Sequence, residues 1–294
     1  MKITIGIPAF NEEKNIGKII AQLQTISDSI IVCNDGSNDM TGEIAKKMGV
    51  IVIEHQKNLG YGSAIKSIFL KTKEIETDIL VTFDADGQHR VDDISSVIEP
   101  IINQNYDLVI GSRFLEKPKN IPNYRKFGIM TITKVTNFLT KTRISDSQSG
   151  FRAYKKNILN SIIPQEKGMS VSTEILIKAT KLNLKVKEVP IIVSYDGNTS
   201  KHNPVSHGTS VLFNTIKFVS IDRPLSFYGI PGIILFGIGL FFLLWTLQIF
   251  SESRQVVTNI ALVGASSISI GLILIMTSII LFSVVYVIRE KKEL

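Results

Sequence analysis

Asp84 and Asp86 stand one residue apart in "VTFDADGQHRVDD", directly after the apolar run "DILVTF". In an extended chain, residues two apart point the same way, so both carboxylates would face one site. Gly87 permits a tight turn behind them. Two neighbouring carboxylates repel, and a cation between them relieves the repulsion. Mg²⁺ or Mn²⁺ fits: Mg²⁺ takes one or two carboxylates and draws its other ligands from water and substrate phosphates. Gln88 offers the same ion a neutral oxygen, and His89 supports the loop rather than ligating. A nucleotide diphosphate completes such a coordination sphere, the metal acting on charge that grows on a departing diphosphate. Asp35, in "NDGSND", is placed to accept from a base or ribose; a turn or helix cap is the alternative for so many capping residues together. Glu12, in "PAFNEE", is either a site residue or a first-turn acid. "NLGYGSA" has two glycines, but Ile65 stands where a dinucleotide fingerprint needs the third, and the segment follows a third strand. A nicotinamide cofactor is therefore disfavoured.

The elements that hold these residues alternate. "ITIGIP", "SIIVCND", "VIVIEH" and "DILVTFDAD" read as strands, while "NEEKNIGKIIAQLQTI", "SNDMTGEIAKKMG" (closed by Gly49) and "GYGSAIKSIFLKTKEI" read as helices. Such alternation predicts an α/β fold with a mostly parallel sheet flanked by helices. Ligands collect at the carboxyl ends of such strands, where "NDGS", "NLGYG" and "DADGQ" converge. Further on, "VIEPIINQN", the basic amphipathic "YRKFGIMTITKVTNFLTKT" and "STEILIKATKLN" read as helices, and "YDLVIGSRF" and "LKVKEVPIIVSY" as strands.

The 294 residues carry a formal charge of +7 with one cysteine. Cys33 has no internal partner, which points to a reducing compartment. The basic excess points to phosphate-bearing partners, anionic lipid or both, with ordinary solubility as the plain alternative; no nucleic-acid partner is expected. "MKITIGI" reads as a strand, not a signal peptide.

After Asp222-Arg223-Pro224 the composition changes. Residues 227–250 and 260–288 carry no charge, and each is longer than the roughly 20 residues that cross a bilayer. The short linker "SESRQVVTN" makes them an antiparallel transmembrane hairpin. Lys217 and Arg223 precede it and Arg289, Lys291 and Lys292 follow it, against Arg254 alone in the linker, so positive-inside counting keeps the globular part cytoplasmic. The expected organisation is a catalytic domain over 1–204, an amphipathic juxtamembrane helix over 205–224, or else a continuation of the first span, and two spans with a short tail over 225–294.

"PAFNEEKNI", "NDGSND", "NLGYGSAI", "DADGQH", "GSRF" and "DSQSGFRAY" occur in this order. Together they resemble the inverting glycosyltransferase family 2 with its GT-A fold, and within it the polyprenyl-phosphate sugar synthases of the dolichyl-phosphate mannose synthase type. The resemblance covers residues 1 to about 220. It implies that Pro8, Phe10, Glu12, Asp35 and Ala85 hold a GDP- or UDP-linked sugar, and that Asp84, Asp86 and Gln88 hold the metal and diphosphate. It implies that Arg113 and Arg125 meet phosphates, and that Asp146, Gln148, Ser149 and Arg152 form the acceptor side, with Asp86, Arg113 and Asp146 nearest the reaction. A lipid phosphate is already largely ionised at neutral pH, its second pKa being about 6. It needs no base, so Asp146 orients rather than abstracts. Lys201 matches a basic position in a loop over the donor; relatives often carry an arginine a few residues earlier, where this chain has Ser194, Tyr195 and Asp196. Glu174 either structures the acceptor loop or is a buried helix cap. The implied reaction moves one sugar, mannose or glucose, to a polyprenyl (dolichyl) phosphate, and a homo-oligomer is open. A processive polysaccharide synthase of the same family is the alternative, but its Gln-X-X-Arg-Trp motif is absent, and two spans are few for a polymer channel. A membrane scaffold that only binds nucleotide sugars is the non-enzymatic alternative.

Overall fold

Alternate residues of the first strand point to opposite faces, and both faces are covered. The computed structural model describes residues 1–116, 121–193, 220, 224–255 and 257–293. Lys201, residues 194–196 and most of the segment 205–224 lie outside the described residues. The chain divides into two units, Met1–Thr215 and Ile216–Leu294.

The first unit contains strands β1 (Ile3–Ala9), β2 (Ser29–Asn34), β3 (Ile51–Glu54), β4 (Ile79–Thr82), β5 (Leu108–Ser112), β6 (Arg152–Lys155) and β7 (Val186–Pro190). Its helices are α1 (Ile16–Leu23), α2 (Thr41–Lys47), α3 (Tyr61–Glu74), α4 (Ile94–Gln104), α5 (Asn123–Thr140) and α6 (Val171–Lys181). The strands form one sheet in the order β3-β2-β1-β4-β6-β5-β7. All pairings are parallel except those of β6, which runs antiparallel to β4 and β5. Ile5, Ile7 and Ala9 of β1 pack with Ile16, Ile20 and Val97 on one face. Ile31, Cys33 and Leu80 pack with Ile65, Ile68 and Leu176 on the other. Burial on both faces is what a parallel sheet requires.

Two details depart from the sequence reading. β6 was not expected as a strand; it places "DSQSG" at the rim where β4 and β5 end. α1 begins at Ile16 with no acid in its first turn, so Glu12 and Glu13 lie in the preceding loop. There Asn11 takes a left-handed φ of 55° and turns the chain.

In the second unit, α7 (Ile230–Ser253) and α8 (Thr258–Glu293) follow a π-helical turn at Leu225–Gly229. Leu225–Ser253 and Thr258–Val287 are long and apolar enough to cross a membrane, with mean hydropathy 2.3 and 2.7. A side chain at Gly232 would meet Gly271, and one at Gly239 would meet Gly264. The contacts advance along α7 as they retreat along α8, so the pair is antiparallel. Small residues let helix backbones approach closely in lipid, where no hydrophobic drive joins them.

Candidate active site

Side-chain alternation along β4 sets the site. Val81, Phe83 and Ala85 enter one core, which leaves Leu80, Thr82 and Asp84 facing α3. Tyr61, the first residue of α3, donates its hydroxyl to Asp84 Oδ1 at 2.9 Å. His89 Nε2 donates to Asp84 Oδ2 at 3.2 Å. Gly87 takes φ 72°, and the Gln88 N–H donates to Asp86 Oδ1 at 3.0 Å. The turn expected behind the carboxylates is therefore present. Ala85, expected at the nucleotide, buries its methyl in the core and offers only backbone to the rim.

The two aspartates are shifted in opposite directions. Burial acts to raise the Asp84 carboxyl, but the His89 bond and charge, the Tyr61 bond and the Arg113 charge outweigh it and hold it below its usual value. Burial and the Asp84 charge push Asp86 upward, against the Gln88 N–H and the charges of His89 and Arg125. Burial also raises Glu12; the Asn15 bond opposes this, and the charges of Asp86, Asp39 and Asp84 add to it. A cation favours the charged forms of all three. Among the described residues no group of three or more His, Cys, Asp or Glu side chains is arranged to cage a metal. The donor set suits an ion that keeps few protein ligands and fills its sphere with phosphate and water, as Mg²⁺ does.

On the other side of β4, Arg113 and Asp146 form one unit. The Arg113 backbone N–H and Nε donate to Asp146 Oδ2 at 3.2 and 2.6 Å, and Nη2 donates to Oδ1 at 2.8 Å. The Gln148 N–H takes Oδ1 at 3.2 Å. Asp146 is fully buried, and four donors fill its four lone-pair positions. It has none left for a hydroxyl proton. The Arg113 charge holds its carboxyl low, against burial.

The remaining expected residues divide. Arg125, in the first turn of α5, lowers Asp86 by its charge. Gln148 donates its amide to Ser147 and Thr173. Ser149 Oγ is buried and has no hydrogen-bond partner among the described residues. Pro8 lies beyond the last β1–β4 rung at Gly6, so its missing N–H costs no pairing there; Phe10 is half-buried behind it. Arg152 corrects the sequence reading. Only 1 % exposed, it donates to the carbonyls of Ser149, Ser172 and Ser147 at 2.8, 3.0 and 2.8 Å. A hydrogen bond to a charged group contributes about 1.5–3 kcal/mol, so three of them hold Arg152 in the interior and away from an acceptor phosphate. Asp35 is also occupied. It is 3 % exposed and accepts from the N–H groups of Leu59 and Gly60 at 2.9 and 2.8 Å, with His55 Nδ1 at 2.6 Å.

A family model described as "Glycosyl transferase family 2" matches residues 4–163, more than half the chain. The chain belongs to glycosyltransferase family 2. It is 40% identical over 216 residues to a UDP-N-acetylglucosamine--dolichyl-phosphate N-acetylglucosaminyltransferase of Methanococcus voltae, covering 66% of this chain and 86% of that one. It is 35% identical over 204 residues to a dolichol-phosphate mannosyltransferase of Pyrococcus furiosus, covering 65% and 56%. Glucosyl-3-phosphoglycerate synthase from Mycobacterium tuberculosis, crystallised with Mn²⁺, UDP and glucosyl-3-phosphoglycerate, shares the fold: TM-score 0.57 at 18% identity, covering 74% of this chain and 79% of that one.

Sequence reasoning passed over Glu188, Thr133 and Asn137, which hold the loop of the candidate site in place. Glu188 on β7 accepts from Ser145 N, Ser145 Oγ and Asp146 N at 2.7, 2.9 and 2.9 Å, fixing the loop that carries Asp146. Thr133 and Asn137 of α5 bond the same loop at Ser147 and Ile144. Glu174, buried in α6, accepts from the Gln165 and Glu166 N–H groups, so it structures a loop. The carbonyls of Glu166 and Lys167 in that loop press on Gly62 and Gly60, so the glycines of "NLGYG" serve packing. Cys33 Sγ lies 3.7 Å from His55 Nε2 in a Cys-His-Asp line, but burial, with the charges of Asp35 and Glu54, pushes the thiol up to about 12.

Proposed function

We propose that this chain transfers a single hexose from a GDP- or UDP-linked donor to a polyprenyl phosphate, with inversion, at the cytoplasmic face of a membrane. The observation that carries the reading is the pair Asp84 and Asp86 at the carboxyl end of β4, Asp84 held by Tyr61 and His89 and Asp86 by the Gln88 N–H, in a chain that also holds two membrane-length helices. The two relatives are named for dolichyl-phosphate acceptors but for different sugars. Mannose and glucose remain the sequence reading, and N-acetylglucosamine joins them as a candidate.

Asp84 and Asp86, with Gln88, would hold Mg²⁺ or Mn²⁺, and the structural neighbour crystallised with Mn²⁺ and UDP supports a divalent ion. When bound, the ion supplies Lewis-acid neutralisation of the leaving diphosphate. Asp146 takes the Nε–Nη2 edge of Arg113 and so fixes the plane of a guanidinium, a group whose charge suits phosphate oxygens. Arg125 brings a second positive charge to the Asp86 side. An ionised acceptor phosphate needs no base, so the remaining work is positioning and charge complementarity. α5 connects that work to lipid. Its inner face bonds the 144–147 loop, while Phe127 and Phe138 on its outer face are 74% and 82% exposed beside exposed Lys126 and Lys134. Lys134 lies between Phe127 and Phe138 on that face, and a mixed aromatic and basic face fits a membrane surface.

The test is a panel of GDP-mannose, UDP-glucose and UDP-N-acetylglucosamine with a short polyprenyl phosphate, with and without Mn²⁺. One donor should yield a lipid-soluble product carrying a single sugar, in the Mn²⁺ arm only. Longer chains on the lipid would favour a processive synthase, and no consumption of any donor would sink the transferase reading.

A further inference from the structure

The orientation of Asp84 is imposed by Tyr61, a residue to which the reading above gives no task. A carboxylate on two free torsions is a poor ligand until something fixes it. Here one oxygen accepts from Tyr61 at 2.9 Å and the other from His89 at 3.2 Å. Among the described residues two of its four lone-pair positions are used, which leaves two for an ion.

The placement of Tyr61 is itself determined. Asp35 receives the N–H groups of Leu59 and Gly60, the two residues before Tyr61. His55 bridges Asp35 and Ser67 of α3, its Nε2 lying 2.8 Å from Ser67 Oγ. Gly60 takes φ 96°, a conformation open to glycine. The Gly62 N–H donates to the Lys167 carbonyl at 2.8 Å, which closes the start of α3 from outside. From the opposite side, Gly150 lies against the pair. A Cβ there would come within 2.8 and 2.9 Å of the two Asp84 oxygens, and closer still to the Tyr61 hydroxyl. Asp84 is thus gripped between a tyrosine hydroxyl, an imidazole and a bare backbone.

We propose that Tyr61 is a positioning residue for the divalent ion: its hydroxyl fixes the Asp84 carboxylate in the orientation that meets the metal, and Asp35 fixes Tyr61 through Leu59 and Gly60. The proposal rests on the reading of Asp84 and Asp86 as metal ligands. It gives buried Asp35 a task that its occupied oxygens allow, and it couples the end of β2 to the metal side of the rim. Partners that hydrogen-bond a ligating side chain from behind are worth about 10–100-fold in metal affinity. A ring that merely filled the core would instead affect stability and leave metal binding alone.

The experiment measures Mn²⁺ binding without turnover, by the electron paramagnetic resonance signal of free Mn²⁺. Full-length wild type and Tyr61→Phe are titrated alone, with UDP and with GDP, and melting temperatures are recorded. Tyr61→Phe should weaken Mn²⁺ binding roughly tenfold while remaining folded, and the Mn²⁺ concentration for half-maximal turnover should rise in step. Gly150→Ala, whose backbone is not in the left-handed region, pushes on the Tyr61 hydroxyl first and on the Asp84 carboxylate beside it, and should also weaken binding. It decides the matter if Tyr61→Phe does not fold. Unchanged Mn²⁺ affinity in the folded variant, with wild type binding normally, overturns the assignment of Tyr61 alone. Absence of Mn²⁺ uptake by wild type under all three conditions overturns the metal reading and this inference with it.

Discussion

Asp146→Asn keeps the shape of the side chain and removes its charge, placing an amide donor where Arg113 now finds acceptors. The Arg113 side chain is 15% exposed and the Asp146 side chain 0%, so water replaces little of what is lost. Removing one partner of a buried ion pair costs about 3–5 kcal/mol; the residual exposure of Arg113 places this case near the lower end, at about 3 kcal/mol. For a domain of this size each kcal/mol moves the melting temperature by about 2–4 °C, which gives a fall of roughly 6–12 °C. The pH dependence has a definite sign. The folded-state value of Asp146 is depressed, so its contribution is fully present above the unfolded value of about 3.9 and is lost as pH falls through the folded value. The gap between wild type and variant should hold steady from pH 5 to 8 and narrow below pH 4. Thermal unfolding followed by circular dichroism across that range is the assay. A variant that melts with wild type at pH 7, or a gap that closes as pH rises from 5 to 8, would refute the description of Asp146 as an ionised, saturated partner of Arg113.

The other predictions concern supports of the site and the membrane hairpin. Glu188→Gln replaces one of the two oxygens that accept from Ser145 and Asp146, so that one or two of the three bonds lose their acceptor; it should cost about 2 kcal/mol, read by chemical denaturation. Gly239→Leu would drive its Cβ into the backbone at Ile268 and Gly264, whereas a Cβ at Gly237 meets nothing within 4 Å, so Gly237→Leu points into open space. The first should cost about 1–3 kcal/mol in SDS-induced unfolding followed by Trp245 fluorescence, and the second close to nothing. The Cys33 thiol, pushed up to about 12 and buried, should resist iodoacetamide at pH 8 by mass spectrometry until urea opens the fold.

The parallel strands, the flanking helices and both apolar spans could be read from the sequence because each repeats a simple period over many residues. Asp84 and Asp86 were legible because a close carboxylate pair after an apolar strand has few physical solutions. β6 was not. It is four residues long with a charge at each end, and nothing in its hydropathy says that Arg152 lies inside on three carbonyls. The same blindness hid the partners of Asp35, whose carboxylate accepts from backbone brought in from 25 residues away. It also hid Glu188, which meets Ser145 and Asp146 from 43 and 42 residues further on. Partners at that separation follow from strand order, and strand order is set by packing rather than by any local pattern. The acids of "PAFNEE" misled for the opposite reason: they favour a helix start by type, but the left-handed turn at Asn11 puts them ahead of it.

The central claim is that the Asp84–Asp86 pair grips a divalent ion on which sugar transfer to a lipid phosphate depends. The most direct measurement is initial-rate turnover of a radiolabelled nucleotide sugar onto a short polyprenyl phosphate by full-length wild type and by Asp86→Asn, each with Mn²⁺ and with chelator. Product should form only for wild type with Mn²⁺, while Asp86→Asn stays folded and inactive. Wild-type rates from Asp86→Asn, or from wild type in chelator, would contradict the account.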